Sequence, residues 1–254
     1  MTNVNQYGWK ALVGSAVGYA MDGFDLLILG FMLSAISADL NLTPAQSGSL
    51  VTWTLIGAVV GGIVFGALSD RYGRVRVLTW TIVLFAVFTG LCAIAQGYWD
   101  LLIYRTIAGI GLGGEFGIGM ALAIEAWPAK HRAKAASYVA LGWQVGVLAA
   151  ALLTPVLLPH IGWRGMFVVG IFPAFVAWYL RTRLHEPEIF SQKQTELSTQ
   201  KISKLESFKR LVKDKATTKV SLGVVVLTSV QNFGYYGIMI WMPNFLSKQL
   251  GFSL

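Results

Sequence analysis

The stretch ALVGSAVGYAMDGFDLLILGFMLSAI, residues 11–36, decides the fold of this chain. It is apolar and long enough to cross a lipid bilayer as one helix, yet it carries two aspartates, Asp22 and Asp25, near its middle. Residues three apart lie on one face of a helix. Because an ionised carboxylate is costly in hydrocarbon, we expect this face to line a polar pathway that binds or relays ions.

The remainder of the chain continues the membrane pattern. Of its 254 residues, 55% are hydrophobic and 13% are charged, which is far less charge than a soluble chain of this length carries. The sequence therefore predicts an all-α membrane protein built from seven apolar spans. These are residues 11–36, 47–68, 77–96, 101–126, 136–158, 163–180 and 220–246.

Lysine and arginine fall mainly on one side of these spans. They follow the second, fourth and sixth spans, whereas the turns at 38–46 and 97–100 hold none. Since basic loops stay in the cytoplasm, the amino terminus is expected to be cytoplasmic. This topology accounts for the net charge of +8, so nucleic-acid binding is not expected.

A polar stretch after the sixth span divides the chain into three predicted parts. Residues 1–182 are expected to form a six-helix transmembrane bundle. Residues 183–219 form a cytoplasmic linker, in which apolar and basic residues alternate at helical spacing between 204 and 213, a pattern typical of a helix that lies on lipid headgroups. Residues 220–254 hold the seventh span, the start of a truncated second half.

The string GALSDRYGRVR, residues 66–76, follows the second span. Its glycines allow a helix to end and turn, and its arginines can pair with an acid at the membrane edge. This combination predicts an electrostatic latch that holds one conformation and releases another. We assign the latch to Gly66, Asp70, Arg71, Gly73 and Arg74. The string resembles the cytoplasmic signature of the major facilitator superfamily.

A second string, RTIAGIGLGGE at residues 105–115, resembles another element of that superfamily. Its glycines also fit a dinucleotide-binding pattern, but no strand precedes them, so we interpret them as close contacts between helices. Arg105 and Glu115 would be costly in the bilayer without partners. We expect both to face the same aqueous cavity as the two aspartates, with Arg105 reaching toward Asp25 and Glu115 level with Asp22.

Strongly polar side chains concentrate in spans one, four and seven, and in the superfamily these spans line the central cavity. We predict proton coupling at Asp22, Asp25 and Glu115. The candidate substrate-binding residues are Arg105, Gln144, Gln231, Asn232, Tyr235 and Tyr236. A short echo, YGR at 72–74 and GWR at 162–164, fits the inverted repeats of transporters.

The string MDGFD, residues 21–25, resembles an element of the aromatic acid:proton symporters, which take up benzoate, protocatechuate and muconate. The resemblance implies that an organic-acid anion is imported with protons by alternating access across a bacterial-type inner membrane, as part of aromatic hydrocarbon catabolism. Two alternatives stay open. One is a transporter of sugar-like or other metabolites in the same superfamily, and the other is a membrane receptor or scaffold fragment without transport.

No enzyme, metal or cofactor site is predicted. The single cysteine excludes an intrachain disulfide, the three histidines are scattered, and no pairing of nucleophile and base is apparent. The expected partners are a small organic acid, protons and the lipid bilayer. Members of the superfamily have about twelve spans in two halves. The sequence therefore looks partial, and the missing carboxy-terminal half is a further expected partner.

Overall fold

The computed structural model describes residues 6–182, 214–242 and 245–246, and this part of the chain is helical throughout, apart from turns. The prediction of an all-α protein is confirmed. The chain divides into two compact units, Met1–Pro187 and Glu188–Leu254. Each unit is described below by itself.

The first unit holds five long helices. They are α1 (Gln6–Asp39), α2 (Pro44–Tyr72), α3 (Arg74–Cys92), α4 (Tyr98–Glu125) and α5 (Arg132–Thr182), with a 3-10 turn, Ala129–His131, before α5. All five are long and apolar enough to cross a membrane. Gly162 interrupts α5 with a non-helical φ of 64° and ψ of 177°. This break falls where the fifth and sixth predicted spans meet, so α5 contains both.

The turns between the first three helices follow from their sequences. Thr43 and Gln46 form a capping box at the start of α2, in which each side chain accepts a hydrogen bond from the other residue's backbone N–H. At the other end of α2, Gly73 adopts a φ of 103°, which a residue with a Cβ rarely adopts. The chain therefore passes from α2 to α3 within a single residue.

Glycines bring two pairs of helices into backbone contact. On α5, a Cβ at Gly142 or Gly146 would collide with the carbonyl of Ala16 or Ala20 on α1. The pair α2 and α4 meets in the same way on both sides, with Gly57 and Gly61 against α4 and Gly109 and Gly113 against α2. Spacing of small residues by four is typical of close helix packing in membranes. The close-contact interpretation of the glycines in RTIAGIGLGGE is confirmed.

Helix α1 lies at the centre of the first unit, since every residue from 21 to 30 is buried. In contrast, the outer faces of α2 and α5 are apolar and exposed. Examples are Val59, Ile63, Leu148 and Leu152. Such faces suit contact with lipid or with further helices, whereas the buried stretch of α1 carries the two aspartates.

The second unit contains α6 (Lys215–Tyr236), which continues into a turn of π-helix, Gly237–Trp241. Asp214 caps α6, and hydrogen bonds from Thr217 hold the pKa of its carboxyl below the ordinary value. Helix α6 is not among the five described helices that are long and apolar enough to cross a membrane, so the seventh span stays a prediction. The predicted basic helix at 204–213 lies outside the described residues, and the division into three parts is likewise a prediction.

Candidate functional site

A buried ion pair joins α1 to α4. Arg105 donates two hydrogen bonds to the Asp25 carboxylate, from Nη1 to Oδ1 at 3.0 Å and from Nη2 to Oδ2 at 2.8 Å. The side chains are 0% and 1% exposed. Parallel hydrogen bonds between a guanidinium and a carboxylate are among the strongest in proteins. The expectation that Arg105 reaches Asp25 is confirmed.

An aromatic ring and a thiol complete the surroundings of Arg105. Its Cζ lies 5.7 Å from the centre of the Phe167 ring, on the part of α5 that follows Gly162. Both Phe167 and Cys92 are fully buried, and Cys92 lies beside the guanidinium. A cation is attracted to an aromatic face, more so where water is excluded. Three helices besides α1 thus contribute to the enclosure of this charge.

The other two predicted acids are buried in the same bundle. Asp22 and Glu115 are both 0% exposed. Tyr19, one turn before Asp22, donates its hydroxyl to the backbone carbonyl of Phe116, the residue after Glu115, at 2.8 Å. This hydrogen bond joins the helix segments that carry Asp22 and Glu115, and the common level of the two carboxylates stays a prediction. Tyr19 was not predicted, although its spacing of three from Asp22 was visible in the sequence.

The expected aqueous cavity is not present at these side chains. Asp22, Asp25, Arg105 and Glu115 are all fully buried in the described part of the chain, so the expectation that they face water is wrong for this structure. The physical reason is that Asp25 and Arg105 satisfy each other's charge, while the Phe167 ring of α5 packs against the guanidinium.

The remaining predicted binding residues lie elsewhere. Gln144 is on α5 with an exposed side chain. The four residues predicted on the seventh span are on α6, in the second unit. These are Gln231, Asn232, Tyr235 and Tyr236. Asn232 donates to the Thr228 carbonyl at 2.9 Å, and the rings of Tyr235 and Tyr236 are 5.4 Å apart. That these five residues bind substrate stays a prediction.

The predicted latch has Arg74 at its centre. Arg74 donates from Nε to Glu125 Oε2 at 2.6 Å and from Nη2 to Oε1 at 2.9 Å, and its Nη2 lies 3.6 Å from Asp70 Oδ1. The expected pairing of an arginine with Asp70 is confirmed. Glu125, at the end of α4, was not expected as the main partner. Because it is 51 residues from Arg74 in the chain, no local pattern revealed the contact.

Two members of the predicted latch have weaker structural support. A Cβ added to Gly66 would meet no heavy atom within 4 Å, so space does not require a glycine there. The Arg71 guanidinium lies 5.2 Å from the ring centre of its neighbour Tyr72, on the exposed end of α2. The conformational role of all five latch residues stays a prediction.

A second polar cluster lies at the end of α1 and just after the end of α3, whereas the latch lies at the start of α3. Asp39 accepts hydrogen bonds from Arg164 Nη1 at 2.6 Å and from Trp163 Nε1 at 3.1 Å. Arg164 also donates to the Ala95 carbonyl at 3.2 Å, and its guanidinium stacks on Trp163 at 4.1 Å. The sequence echo marked this turn, but it did not reveal Asp39.

The two echoing turns each contain a glycine of positive φ. Gly73 and Gly162 are the glycines of positive φ among the described residues, at 103° and 64°. An arginine near each glycine binds an acid at the end of another helix. Arg74, directly after Gly73, binds Glu125 on α4, and Arg164, two residues after Gly162, binds Asp39 on α1. If the first three spans correspond to the next three, α1 corresponds to α4, and α2 corresponds to the part of α5 before Gly162. The packed pair α1 and α5 then corresponds to the packed pair α4 and α2. This agrees with the predicted inverted repeat.

Comparison with known proteins gives a consistent result. The family model of the Major Facilitator Superfamily matches residues 15–254. A Haemophilus influenzae protein named "Putative metabolite transport protein" is 88% identical over 100% of this chain and 63% of its own length. The "Cis,cis-muconate transport protein" of Acinetobacter baylyi is 32% identical over 98% of this chain and 61% of its own length.

Solved structures show the same fold. The crystal structure of a D-xylose-proton symporter superposes with a TM-score of 0.73 at 23% identity, and the match covers 98% of this chain and 63% of that chain. At this identity the likeness concerns the fold alone. The chain spans a little over half of the length of the relatives it matches, 63% and 61% for the two named above.

Proposed function

The chain belongs to the Major Facilitator Superfamily, and on this premise we propose that it forms the amino-terminal half of a secondary transporter that imports an organic-acid anion together with protons. Membership makes it a multi-pass membrane protein of a transporter family, in agreement with the expectation that it is not an enzyme. The carboxy-terminal half of the transporter is its proposed structural partner. The inner membrane of a bacterium, with the amino terminus in the cytoplasm, is its proposed location.

The ion pair between Asp25 and Arg105 carries this proposal. It holds a guanidinium in the geometry that binds any carboxylate through two parallel hydrogen bonds. A proton that neutralises Asp25 weakens the pair and releases both Nη donors. The carboxylate of a substrate then takes the position of the Asp25 carboxylate. The anion and the proton are therefore bound together, which is the requirement for symport.

Burial makes this exchange selective for charge. In a site without water, a guanidinium that loses its carboxylate partner is strongly destabilised. An anionic substrate replaces the lost partner, whereas a neutral sugar does not. The site therefore favours carboxylates over the sugar-like substrates of the alternative hypothesis.

The class of substrate is proposed from one relative and one contact. The muconate transport protein is named for a dicarboxylate and is 32% identical to this chain. Phe167, beside Arg105, offers an apolar ring to the unsaturated body of such an anion. We therefore propose aromatic carboxylates and muconate-like dicarboxylates as substrates, with Gln144, Gln231, Asn232, Tyr235 and Tyr236 as further hydrogen-bonding residues.

The entry of protons supplies the free energy for accumulation of the substrate anion. A charge that crosses the membrane potential releases about 2.3 kcal/mol per 100 mV. Asp22 and Glu115 are the further proposed proton-coupling residues. Both are buried, Asp22 on the helix of Asp25 and Glu115 on the helix of Arg105. On the cytoplasmic side, the latch of Gly66, Asp70, Arg71, Gly73 and Arg74 is proposed to open and close as access alternates. The contacts of Arg74 with Asp70 and with Glu125 would break and re-form in each cycle.

Uptake by the complete transporter tests this function. In proteoliposomes with an inward proton gradient, radiolabelled cis,cis-muconate and benzoate should accumulate, and a protonophore should abolish the accumulation. Asp25→Asn should lose accumulation because the variant has no proton to exchange at Arg105. Asp100→Asn is the matched control, since Asp100 lies in the first turn of α4, away from the buried pair.

Xylose serves as the neutral competitor in the same assay. Accumulation of xylose, or carboxylate uptake that is unaffected by both the protonophore and Asp25→Asn, would contradict the proposed function.

A further inference from the structure

The exposed face of α3 carries an ordered stripe of side chains. Arg76, Trp80, Val83 and Val87 are all exposed, the last three at 43%, 47% and 52%. Their spacing of four, three and four residues places them along one side of the helix. The opposite side of α3 packs into the bundle, where Phe85 is fully buried. The stripe is therefore the outward face of α3 in the first unit.

The order of these side chains matches the depth profile of a lipid leaflet. A guanidinium comes first, then an indole ring, then two aliphatic side chains. In membranes, basic side chains reach the headgroups, tryptophan lies at the boundary and aliphatic residues contact the hydrocarbon. Arg76 and Val87 are 11 residues apart. This is about 16 Å along a helix, close to half of a hydrocarbon core of about 30 Å.

The end of α2 adds a second arginine and a second ring at the same level. The ring centres of Tyr72 and Trp80 are 5.9 Å apart, with an angle of 53° between the rings. The Arg71 Cζ lies 5.2 Å from the centre of the Tyr72 ring. Both Arg71 and Tyr72 are exposed. Each ring of this aromatic pair therefore has an arginine beside it, Arg71 next to Tyr72 and Arg76 one helical turn before Trp80.

The turn between α2 and α3 is positively charged. Residues 70–76 hold three arginines and one aspartate. Arg74 has a side chain that is 16% exposed, and it contacts both Glu125 and Asp70. Arg71 and Arg76 are the exposed arginines of this turn. Their charge complements the phosphate of an anionic lipid, whereas a zwitterionic headgroup carries a cation of its own.

We propose that the end of α2 and the start of α3 form a binding site for one anionic phospholipid, such as phosphatidylglycerol. The site consists of Arg71, Tyr72, Arg76 and Trp80. Its guanidinium groups bind the phosphate, because their planar donors match phosphate oxygens in pairs. The two rings pack against the glycerol region, and the valines of the stripe contact an acyl chain. This inference goes beyond the proposed function, since it requires a membrane-spanning bundle and is independent of the transported substrate.

Lipid binding by the purified complete transporter tests the site. After delipidation, native mass spectrometry measures the retention of phosphatidylglycerol and of phosphatidylcholine with identical acyl chains. Wild type should retain phosphatidylglycerol more tightly. Arg71→Gln and Arg76→Gln should each weaken this retention by about fivefold, the scale for one basic residue at an anionic membrane surface. Retention of phosphatidylcholine should not change, because its headgroup carries no net charge.

The matched control is the double variant Lys130→Gln with Arg132→Gln. It removes two exposed positive charges from the turn between α4 and α5, as Arg71→Gln with Arg76→Gln does from the turn between α2 and α3. A loss confined to the second pair supports the site. An equal loss in both double variants would show an effect of net charge alone and would overturn the proposal. Equal retention of the two lipids by wild type would also overturn it.

Fluorescence quenching by brominated lipids tests the aromatic part of the site. In bilayers with a small share of brominated lipid, wild type should lose more fluorescence to phosphatidylglycerol than to phosphatidylcholine. Trp80→Phe keeps a ring on α3 but removes the fluorophore, so this difference should shrink. Trp99→Phe is the matched control, because Trp99 is 69% exposed in the first turn of α4.

The quenching result also distinguishes a lipid from a protein occupant of this face. If the carboxy-terminal half covers the stripe, Trp80→Phe should leave the quenching by both brominated lipids unchanged. That outcome would overturn the proposal. If muconate and benzoate are not transported but both lipid measurements behave as described, the lipid site stands and the substrate proposal fails.

Discussion

At Arg105, a planar guanidinium meets a planar carboxylate where water is excluded. The bidentate contact with Asp25 is therefore both a strong interaction and a vulnerable one, because the loss of either partner leaves a buried charge. The sequence revealed the two residues since charges in apolar spans are costly and need partners. It did not reveal Phe167 or Cys92, which come from distant apolar stretches where one aromatic or small residue resembles any other.

Removal of one partner of this pair should destabilise the protein more than removal of both. We expect Arg105→Gln to cost about 3–5 kcal/mol, because Asp25 stays buried without its counter-charge. The double variant with Asp25→Asn should recover most of this loss and still fail to accumulate substrate. Thermal unfolding in detergent, together with uptake, measures both effects. A double variant as unstable as Arg105→Gln would show that the charges are not coupled.

Among the helices, close backbone contact is the main determinant of packing. The glycines of α4 in the string at residues 105–115 were predicted to allow such contact, and the structure confirms it at Gly109 and Gly113. The matching glycines of α2 and α5 were not predicted. The sequence also located the turn at Gly162, since polar residues interrupt the apolar run there. It did not show which helices pair, because the small residues of one helix fit those of several others equally well.

Two glycines on neighbouring helices should respond differently to a methyl group. Gly113→Ala places a Cβ against the backbone of Ala58 and should destabilise the bundle by about 1–3 kcal/mol. Gly66→Ala meets no heavy atom within 4 Å inside a helix and should be neutral or stabilising by up to about 1 kcal/mol. Unfolding temperatures in detergent compare the two variants. A large loss for Gly66→Ala would reveal a requirement that the packing does not explain.

In the first unit as a whole, the turns that contain Gly73 and Gly162 repeat one kind of contact, an arginine that binds an acid at the end of another helix. Arg74 binds Glu125, with side chains 16% and 17% exposed, whereas Arg164 binds Asp39, with side chains 44% and 47% exposed. The sequence echo predicted that the turns correspond. The acids that complete them lie at the ends of other helices and have no shared motif, so only the fold reveals them.

Burial should make the two pairs unequal in strength. A double-mutant cycle with Arg74→Gln and Glu125→Gln should give a coupling free energy of about 1–3 kcal/mol. The corresponding cycle with Arg164→Gln and Asp39→Asn should give a clearly smaller value, which falls further at high salt because exposed charges are screened. Thermal unfolding of the seven proteins, with the wild type common to both, measures both cycles. A stronger coupling at Asp39 would reverse this ranking.

The contact of glycines with carbonyls on α1 and α4 has a mechanical consequence. Two helices whose backbones touch cannot slide or bend past each other without opening a gap along their whole length, so each such pair behaves as a stiff beam. A small displacement of α1 against α4 at the buried acids is then not absorbed locally. If a proton binds at the buried acids, as proposed, the displacement that it causes should grow with distance along the paired helices and reach both ends of the unit.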